Sequence, residues 1–425
     1  MRSIEILQWV ATICLVCAVM HTFLVKQLQH IANKFSQGSI AENFFHLLGE
    51  VEVVFGLWAC VFLVCFSFIE GNSAAISYLE SRNFTEPVFV FIVMVVCATK
   101  PVLYLITRVI EKISIIIPFN RSITFYGVTL ILGPLLGSFI TEPAAMTVTA
   151  LILLDRYYQQ ISVKLKYATL GLLFVNVSIG GTLTPYAAPP IIMVANQWSW
   201  DLGFMLKNFA WKSALSIVIA TGFVALRFRK ELMLLPHKKL FDVNNKSRIP
   251  FWVSLVHVFF MLGIVVFSRH MSVFGLLFML FLGFATVAQE YQHDLKIREG
   301  LLVAFFLSGL VILGGMQRWW LESLLSQLTS VFLYLSAVGL TAVMDNAALT
   351  YLGSQVSGLS EATKYLLVAG SVVGGGLTVI ANAPNPAGHG ILNSSFGSEG
   401  ISPWGLFKGA LVPTLIAVII FGIFR

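Results

Sequence analysis

Long apolar runs separated by short polar clusters dominate the chain. They lie near residues 6–26, 44–69, 86–108, 122–156, 167–197, 210–226, 250–267, 271–290, 298–316, 321–358, 364–394 and 403–424. Most approach the roughly 20 residues that carry a helix across a bilayer. The runs 122–156 and 321–358 are too long for one crossing, and each has a polar, turn-forming centre that a lipid-facing helix could not accommodate. Each reads as a re-entrant hairpin. Gly- and Pro-rich interruptions make 167–197 and 364–394 broken helices, while 109–118 and 198–209 are amphipathic and read as helices lying in the interface.

The most polar stretch, 227–248 (RFRKELMLLPHKKLFDVNNKSR), carries seven Lys and Arg residues and divides the chain nearly in half. The positive-inside rule places it in the cytoplasm. Counting outward from it, with both long runs as hairpins, gives three spans, a hairpin, a broken span and a final span on either side, in opposite orientations. The expected architecture is an all-α polytopic membrane protein with two inverted-topology repeats, 1–226 and 249–425, joined by the basic cytoplasmic linker 227–248. The first span reads as retained rather than cleaved, because only Arg2 precedes it and no small-residue cleavage site follows. Cytoplasmic segments then hold 18 of the 27 Lys and Arg residues, and eight, Lys212 among them, lie outside. Lys100 is the one cation within a span.

Composition agrees: 57% of residues are hydrophobic and 11% charged, with a mean hydropathy of +0.86, far from the balance of a water-soluble domain. The net charge of +7 follows from basic residues held in cytoplasmic loops, so the expected partner is the lipid bilayer and not nucleic acid. Five cysteines, Cys14, Cys17, Cys60, Cys65 and Cys97, all fall in apolar runs. An odd count in such positions reads as packing rather than a disulfide framework, and the Cys14–Cys17 pair lacks the polar surroundings of a redox motif.

The chemistry-bearing residues repeat. Thr141-Glu142-Pro143-Ala144-Ala145-Met146-Thr147 in the first hairpin matches Met344-Asp345-Asn346-Ala347-Ala348-Leu349-Thr350 in the second, at an offset of 203. Gly180, Gly181 and Thr184 of the first break match Gly374, Gly375 and Thr378 of the second at an offset of 194, and AAPP at 187–190 matches ANAP at 381–384. Two motifs duplicated in the same order point to an internal repeat. Gly and Pro at mid-membrane depth free backbone carbonyls and amides, which is tolerable only where they line a cavity or coordinate a solute. Hard cations prefer carboxylate, hydroxyl, amide and backbone oxygens. Asp345, Asn346, Thr350, Thr378, Asn382, Asn385, Glu142, Thr147 and Thr184 offer such a set, and Na⁺ is the expected metal, with no transition-metal spacing and no cofactor. A buried carboxylate also takes up a proton near neutral pH, because desolvation favours its neutral form and a bound cation its ionised form.

Simpler roles exist for the same residues. Glu142 or Asp345 could cap a helix amino terminus. Asn176 could make an interhelical hydrogen bond or line the cavity together with Gly180, Gly181, Gly374 and Gly375. Lys100, before Pro101, could pair with Glu142 or another acid, or mark an anion site. His46, Glu50, Glu52 and His389 read as interfacial or cavity-wall residues.

The hairpin tips and breaks resemble those of the ion transporter superfamily, which includes Na⁺/H⁺ antiporters, divalent anion/sodium symporters, citrate carriers and arsenite permeases. DNAALT at 345–350 resembles its D-N-x-P-x-T hairpin signature, and GGTLTPYAAPP at 180–190 and GGGLTVIANAPNP at 374–386 resemble its glycine-rich breaks. ITEPAAMT at 140–147 is most similar to a Na⁺/H⁺ antiporter group within it. The first half departs from the pattern, with Glu142-Pro143 for Asp-Asn, and with Ala188 and Ile191 where the second half has Asn382 and Asn385. The resemblance implies cation ligands at Asp345, Asn346, Thr350, Thr378, Asn382 and Asn385, a homodimer with moving hairpin domains, and a bacterial inner-membrane location. The expected function is Na⁺/H⁺ antiport by elevator-like alternating access. The alternatives are Na⁺-coupled symport of a carboxylate or other small anion, an intramembrane enzyme using Asp345 and His389, and a scaffold or receptor.

Overall fold

The computed structural model describes residues 2–235, 249–326, 328–397 and 400–423, and every regular element among them is helical. The first half contains α1 (Arg2–Ala32), α2 (Ile40–Leu48), α3 (Val51–Glu70), α4 (Asn72–Glu80), α5 (Thr85–Cys97) and α6 (Lys100–Ile116). It continues through α7 (Arg121–Ile140), α8 (Glu142–Leu153), α9 (Val163–Gly180), α10 (Pro189–Ala195), α11 (Leu202–Met205) and α12 (Trp211–Arg227). After α13 (Arg229–Met233), the second half contains α14 (Phe251–Val266), α15 (Met271–Val287), α16 (Ile297–Gly314), α17 (Arg318–Ser326) and α18 (Ser330–Thr341). It ends with α19 (Asn346–Ser354), α20 (Glu361–Gly374), α21 (Asn385–Asn393) and α22 (Pro403–Ile423). Of the basic segment 227–248, residues 236–248 lie outside the described residues.

Seven helices among the described residues are long and apolar enough to cross a bilayer: Ser3–Val25, Glu52–Glu70, Arg121–Ile140, Val163–Leu183, Leu202–Arg227, Ile297–Gly314 and Pro403–Ile423. Large apolar side chains such as Phe68, Phe259, Met279 and Ile419 are exposed on the helix surfaces, a surface suited to hydrocarbon and not to water. The chain is an integral, multi-pass membrane protein.

Three segments differ from the sequence reading. The run 86–108 is not one straight span, because α5 and α6 meet at a bend of 67°. Thr99 is extended, Lys100 precedes Pro101, and proline in the first turn starts a new helix rather than continuing the old one. The amphipathic residues 109–116 form the end of α6. Residues 202–209 are not a separate interfacial helix either: α11 passes through a π-type turn at Leu206–Ala210 into α12, forming one span. This continuation carries Lys212 inside, where it is 3% exposed, so Lys212 is a second intramembrane cation and not an external one. Finally, the start of the run 321–358 belongs to the amphipathic α17, and the next helix begins at Ser330.

Packing sorts the helices into two groups. α3 lies against α1 and α16, and α16 also against α5. Gly309 of α16 permits a close approach to α3, since a Cβ there would meet the Phe55 backbone. The other group joins α7, α8 and α9 with α12, α18, α20 and α22. An exchange runs through this group: α21, after the second break, packs against α8 of the first half, and α10, after the first break, packs against α19 of the second.

Candidate functional site

The chain turns from α7 into α8 on one residue, Thr141, which has φ +73° and ψ 151°. A β-branched side chain rarely adopts that conformation, and such strain persists only where the surroundings fix it. Pro143 sits in the first turn of α8, where its missing N–H leaves no unmet helix bond. Glu142 is fully buried and does not cap its helix. Instead its Oε2 accepts a hydrogen bond from Nδ2 of Asn382 at 2.9 Å, and its Oε1 has no hydrogen-bond partner. The second tip is built differently. Asp345 caps α19, its Oδ1 accepting from the backbone amides of Ala347 at 2.8 Å and Ala348 at 3.2 Å. Capping, considered for both acids, is a role that Asp345 performs and Glu142 does not.

The breaks are pinned by side chains. After the first, Thr184 Oγ1 donates to the Ser138 carbonyl at 2.6 Å. After the second, Thr378 Oγ1 donates to the Ala342 carbonyl at 2.8 Å. Both bonds tie a break to the last turn before one of the two acids. Gly180 and Gly374 let the broken helices press on α7 and α18, since a Cβ on Gly180 would lie 2.5 Å from the Pro134 carbonyl oxygen and one on Gly374 would meet that of Val338. Asn385 Nδ2 donates to the carbonyls of Gly375 at 2.7 Å and Thr378 at 2.8 Å, holding the second break open. The two broken helices touch where Ser178 Oγ donates to the Val372 carbonyl at 2.7 Å.

The second break therefore reaches both acids, with the Asn382 side chain on Glu142 and Ile380 lining the same small space as Asp345. Around it, Glu142 Oε1, Asn382 Oδ1, Asn385 Oδ1 and Asn346 Oδ1 are buried without hydrogen-bond partners. Asn346 Nδ2 would lie 2.9 Å from a Cβ on Gly375, and a Cβ on Gly181 would meet Glu142, so the breaks and tips form one cluster. Leaving a buried polar atom unpaired costs roughly 1–3 kcal/mol. Carboxylate and amide oxygens gathered in this way are ligands for a hard cation. No group of three or more His, Cys, Asp and Glu that could hold a metal ion occurs among the described residues.

Other residues singled out from sequence lie elsewhere. Thr147 Oγ1 donates to the Pro143 carbonyl at 2.9 Å, and Thr350 Oγ1 to those of Asn346 and Ala347, both at 3.1 Å, so each hydroxyl serves its own helix. Asn176 Nδ2 bridges the Leu130 carbonyl at 2.9 Å and Thr221 Oγ1 at 3.0 Å, an interhelical bond. Lys100 is half-buried and makes no ion pair among the described residues. The partner found for Glu142 is Asn382 instead.

Two further features stand near the site, one absent from the sequence reading and one given only an interfacial or cavity-wall role there. Lys212 Nζ donates to Tyr365 Oη at 2.8 Å and lies 4.2 Å from the centre of that ring, while Tyr365 Oη donates to the Phe421 carbonyl at 3.0 Å. The polar face formed by Lys212, Ser213, Ser216 and Thr221 on α12 was the available clue, and all four are buried. The second feature is Glu52, which lines a cavity reaching the second break.

Membrane-crossing helices around two interrupted ones, with buried carboxylates and amide oxygens gathered at the interruptions, define a membrane transporter for small cations. The chain matches the family described as “Putative Na+/H+ antiporter” over residues 6–424 and belongs to that family. No curated protein sequence matches it.

Proposed function

We propose that the protein exchanges Na⁺ for H⁺ across a bacterial inner membrane, with Glu142 and Asp345 binding the cation when ionised and the proton when neutral. The observation that carries this reading is the Asn382–Glu142 hydrogen bond, with four unpartnered buried oxygens beside it. Asn346, Asn382 and Asn385 complete the ligand set, and Thr378 and Thr184 hold the breaks. Thr147 and Thr350 contribute from the tip helices, chiefly by fixing the carbonyls next to the acids. A carboxylate that holds a proton presents no charge to Na⁺, so the two ions compete for one site. Alternating access of that site exchanges them. Among the described residues no Arg or Lys hydrogen-bonds into the cluster, which favours exchange over symport of an anion.

The hydrogen-bond pattern supports two inverted repeats, 1–226 and 249–425, with hairpins and broken helices in each. Thr184 and Thr378 are counterparts at the offset of 194, and they bond to equivalent turns of the two hairpins. Gly180 and Gly374 are also counterparts and press on carbonyls in equivalent turns. Ser178 bonds to Val372, its own counterpart at 194, as residues near a twofold axis do. In this reading α1, α3, α5 and α16 belong to a fixed, dimeric scaffold, and the hairpins and broken helices move past it as an elevator. The bent α6 and amphipathic α17 are the connecting arms.

Reconstituted into liposomes, the protein should convert an imposed Na⁺ gradient into a lumenal pH change without uptake of a labelled dicarboxylate. No pH change at any pH overturns exchange. Na⁺-dependent dicarboxylate uptake would establish symport instead.

A further inference from the structure

We propose that Glu52 is the cation-gathering residue of the vestibule on the side of the basic linker, drawing Na⁺ from that side toward Asp345. The inference rests on the exchange reading above. A cavity of about 610 Å³ is lined by Thr22, Glu50, Glu52, Thr378, Ile380 and His389, among others. A much smaller space of about 10 Å³, lined by Asp345, Met344 and Phe55, shares Thr22 and Ile380 with it. The large cavity is therefore the approach to Asp345. It lies where α1 ends and α3 and α22 begin, since Gln29, Gly49, Glu50 and Pro403 also line it. In the inverted-repeat topology that is the linker side.

Glu52 stands at the start of this path. It occupies the first turn of α3, and Phe55, three residues on and thus on the same face, reaches the inner space. The Phe55 ring packs edge-on against Phe306 at 5.1 Å and closes the path on the scaffold side. Glu50 is already held by Arg298, which offsets one of the two acidic charges. Glu52 makes no direct ion pair among the described residues, and the Arg298 guanidinium that holds Glu50 is one positive charge beside two carboxylates. A surplus of carboxylate charge in a low-dielectric funnel focuses field and raises the local cation concentration.

The opposite approach is unlike it. Pro185 and Tyr186, the counterparts of Val379 and Ile380 at the offset of 194, line a cavity of about 240 Å³ with Glu86, Asp201 and Arg269. Glu86 there accepts from Asn196 at 3.1 Å, and Arg269 supplies an opposing charge. The two mouths therefore differ in size, and Glu52 lines only the larger one, so its effect is sided.

An acid in a first turn also stabilises its helix, so the test must separate gathering from folding. Wild type, Glu52→Gln and Glu52→Asp are reconstituted in a single orientation and exchange is measured while Na⁺ is varied on each side in turn. The expected result for Glu52→Gln is a KM raised about 3- to 10-fold on the linker side only, an increase that shrinks at high salt as screening predicts. Glu52→Asp should restore most of the wild-type KM. Equal changes on both sides, no change, or a loss that Asp does not rescue overturns the proposal while leaving exchange intact. A wild type without Na⁺-dependent exchange overturns both.

Discussion

Asn382 donates its side-chain amide to Glu142 across 2.9 Å, although 240 residues separate them in the chain. The hydrogen bond joins the break in the second half to the start of α8 in the first, so in the proposed site neither half suffices alone. Its removal tests how far the cation depends on this junction. Hydrogen bonds to charged groups contribute about 1.5–3 kcal/mol, which corresponds to roughly tenfold or more in affinity. Asn382→Ala should therefore weaken Na⁺ binding at least about tenfold, read as a smaller Na⁺-induced rise in melting temperature.

The two acids should fail in different ways. Asn caps a helix about as well as Asp, so Asp345→Asn keeps the bonds to Ala347 and Ala348 within reach and should fold to within about 1 kcal/mol of wild type. It removes the charge, and Na⁺ stabilisation should vanish with it. Glu142→Gln has no cap to preserve. Its amide can accept from Asn382 still, but its neutral oxygen should leave exchange abolished at an intact fold. Retained exchange in either variant would remove that acid from the site.

Much of this arrangement was legible beforehand, because a bilayer restricts the chain to long apolar helices and makes any acid, Gly–Gly or Pro within them conspicuous. The all-α, multi-pass architecture followed from the run lengths, and the acids and asparagines stood out by type and repetition. The junction was not legible. Repetition pairs Glu142 with Asp345 and Ala188 with Asn382, whereas the contact that forms, Glu142 with Asn382, depends on α21 packing across onto α8. The bend at Lys100–Pro101 was masked because the apolar run continues through it. Lys212 was misplaced because it follows an interfacial-looking segment that continues instead into the span.

Close backbone approaches make a second, independent set of expectations. A Cβ at Gly180 would meet the backbone of Pro134 at 2.5 Å, and one at Gly374 that of Val338. Backbone cannot move aside as a side-chain end does. Gly180→Ala and Gly374→Ala should each destabilise by about 1–3 kcal/mol, measured by thermal unfolding in detergent. Gly127→Ala and Gly339→Ala, on the same hairpins but with nothing within 4 Å of the new Cβ, should stabilise by about 0.5–1 kcal/mol.

Lys212 supplies a third. Its ammonium donates to Tyr365 Oη and lies over the same ring. Tyr365→Phe keeps the ring and removes the acceptor, leaving a buried charge with one bond fewer. A cost of about 1–3 kcal/mol follows, and the melting temperature should fall. Combining it with Lys212→Met should recover most of that loss, because no charge then remains to be satisfied. Additive losses in the double variant would separate the two residues.

Competition between Na⁺ and H⁺ for one carboxylate is the central claim, and the linkage between the two ions measures it most directly. Lower pH protonates the acids and must weaken Na⁺ binding, while Na⁺ binding must expel protons. Na⁺ titrations of the purified protein by calorimetry, in two buffers of different ionisation enthalpy, count the protons released. The account predicts proton release on Na⁺ binding by wild type, an apparent Na⁺ affinity that falls with pH by up to about tenfold per unit, and neither effect in Asp345→Asn. Na⁺ binding with no proton release at any pH, or an Asp345→Asn variant that binds as wild type does, would contradict it.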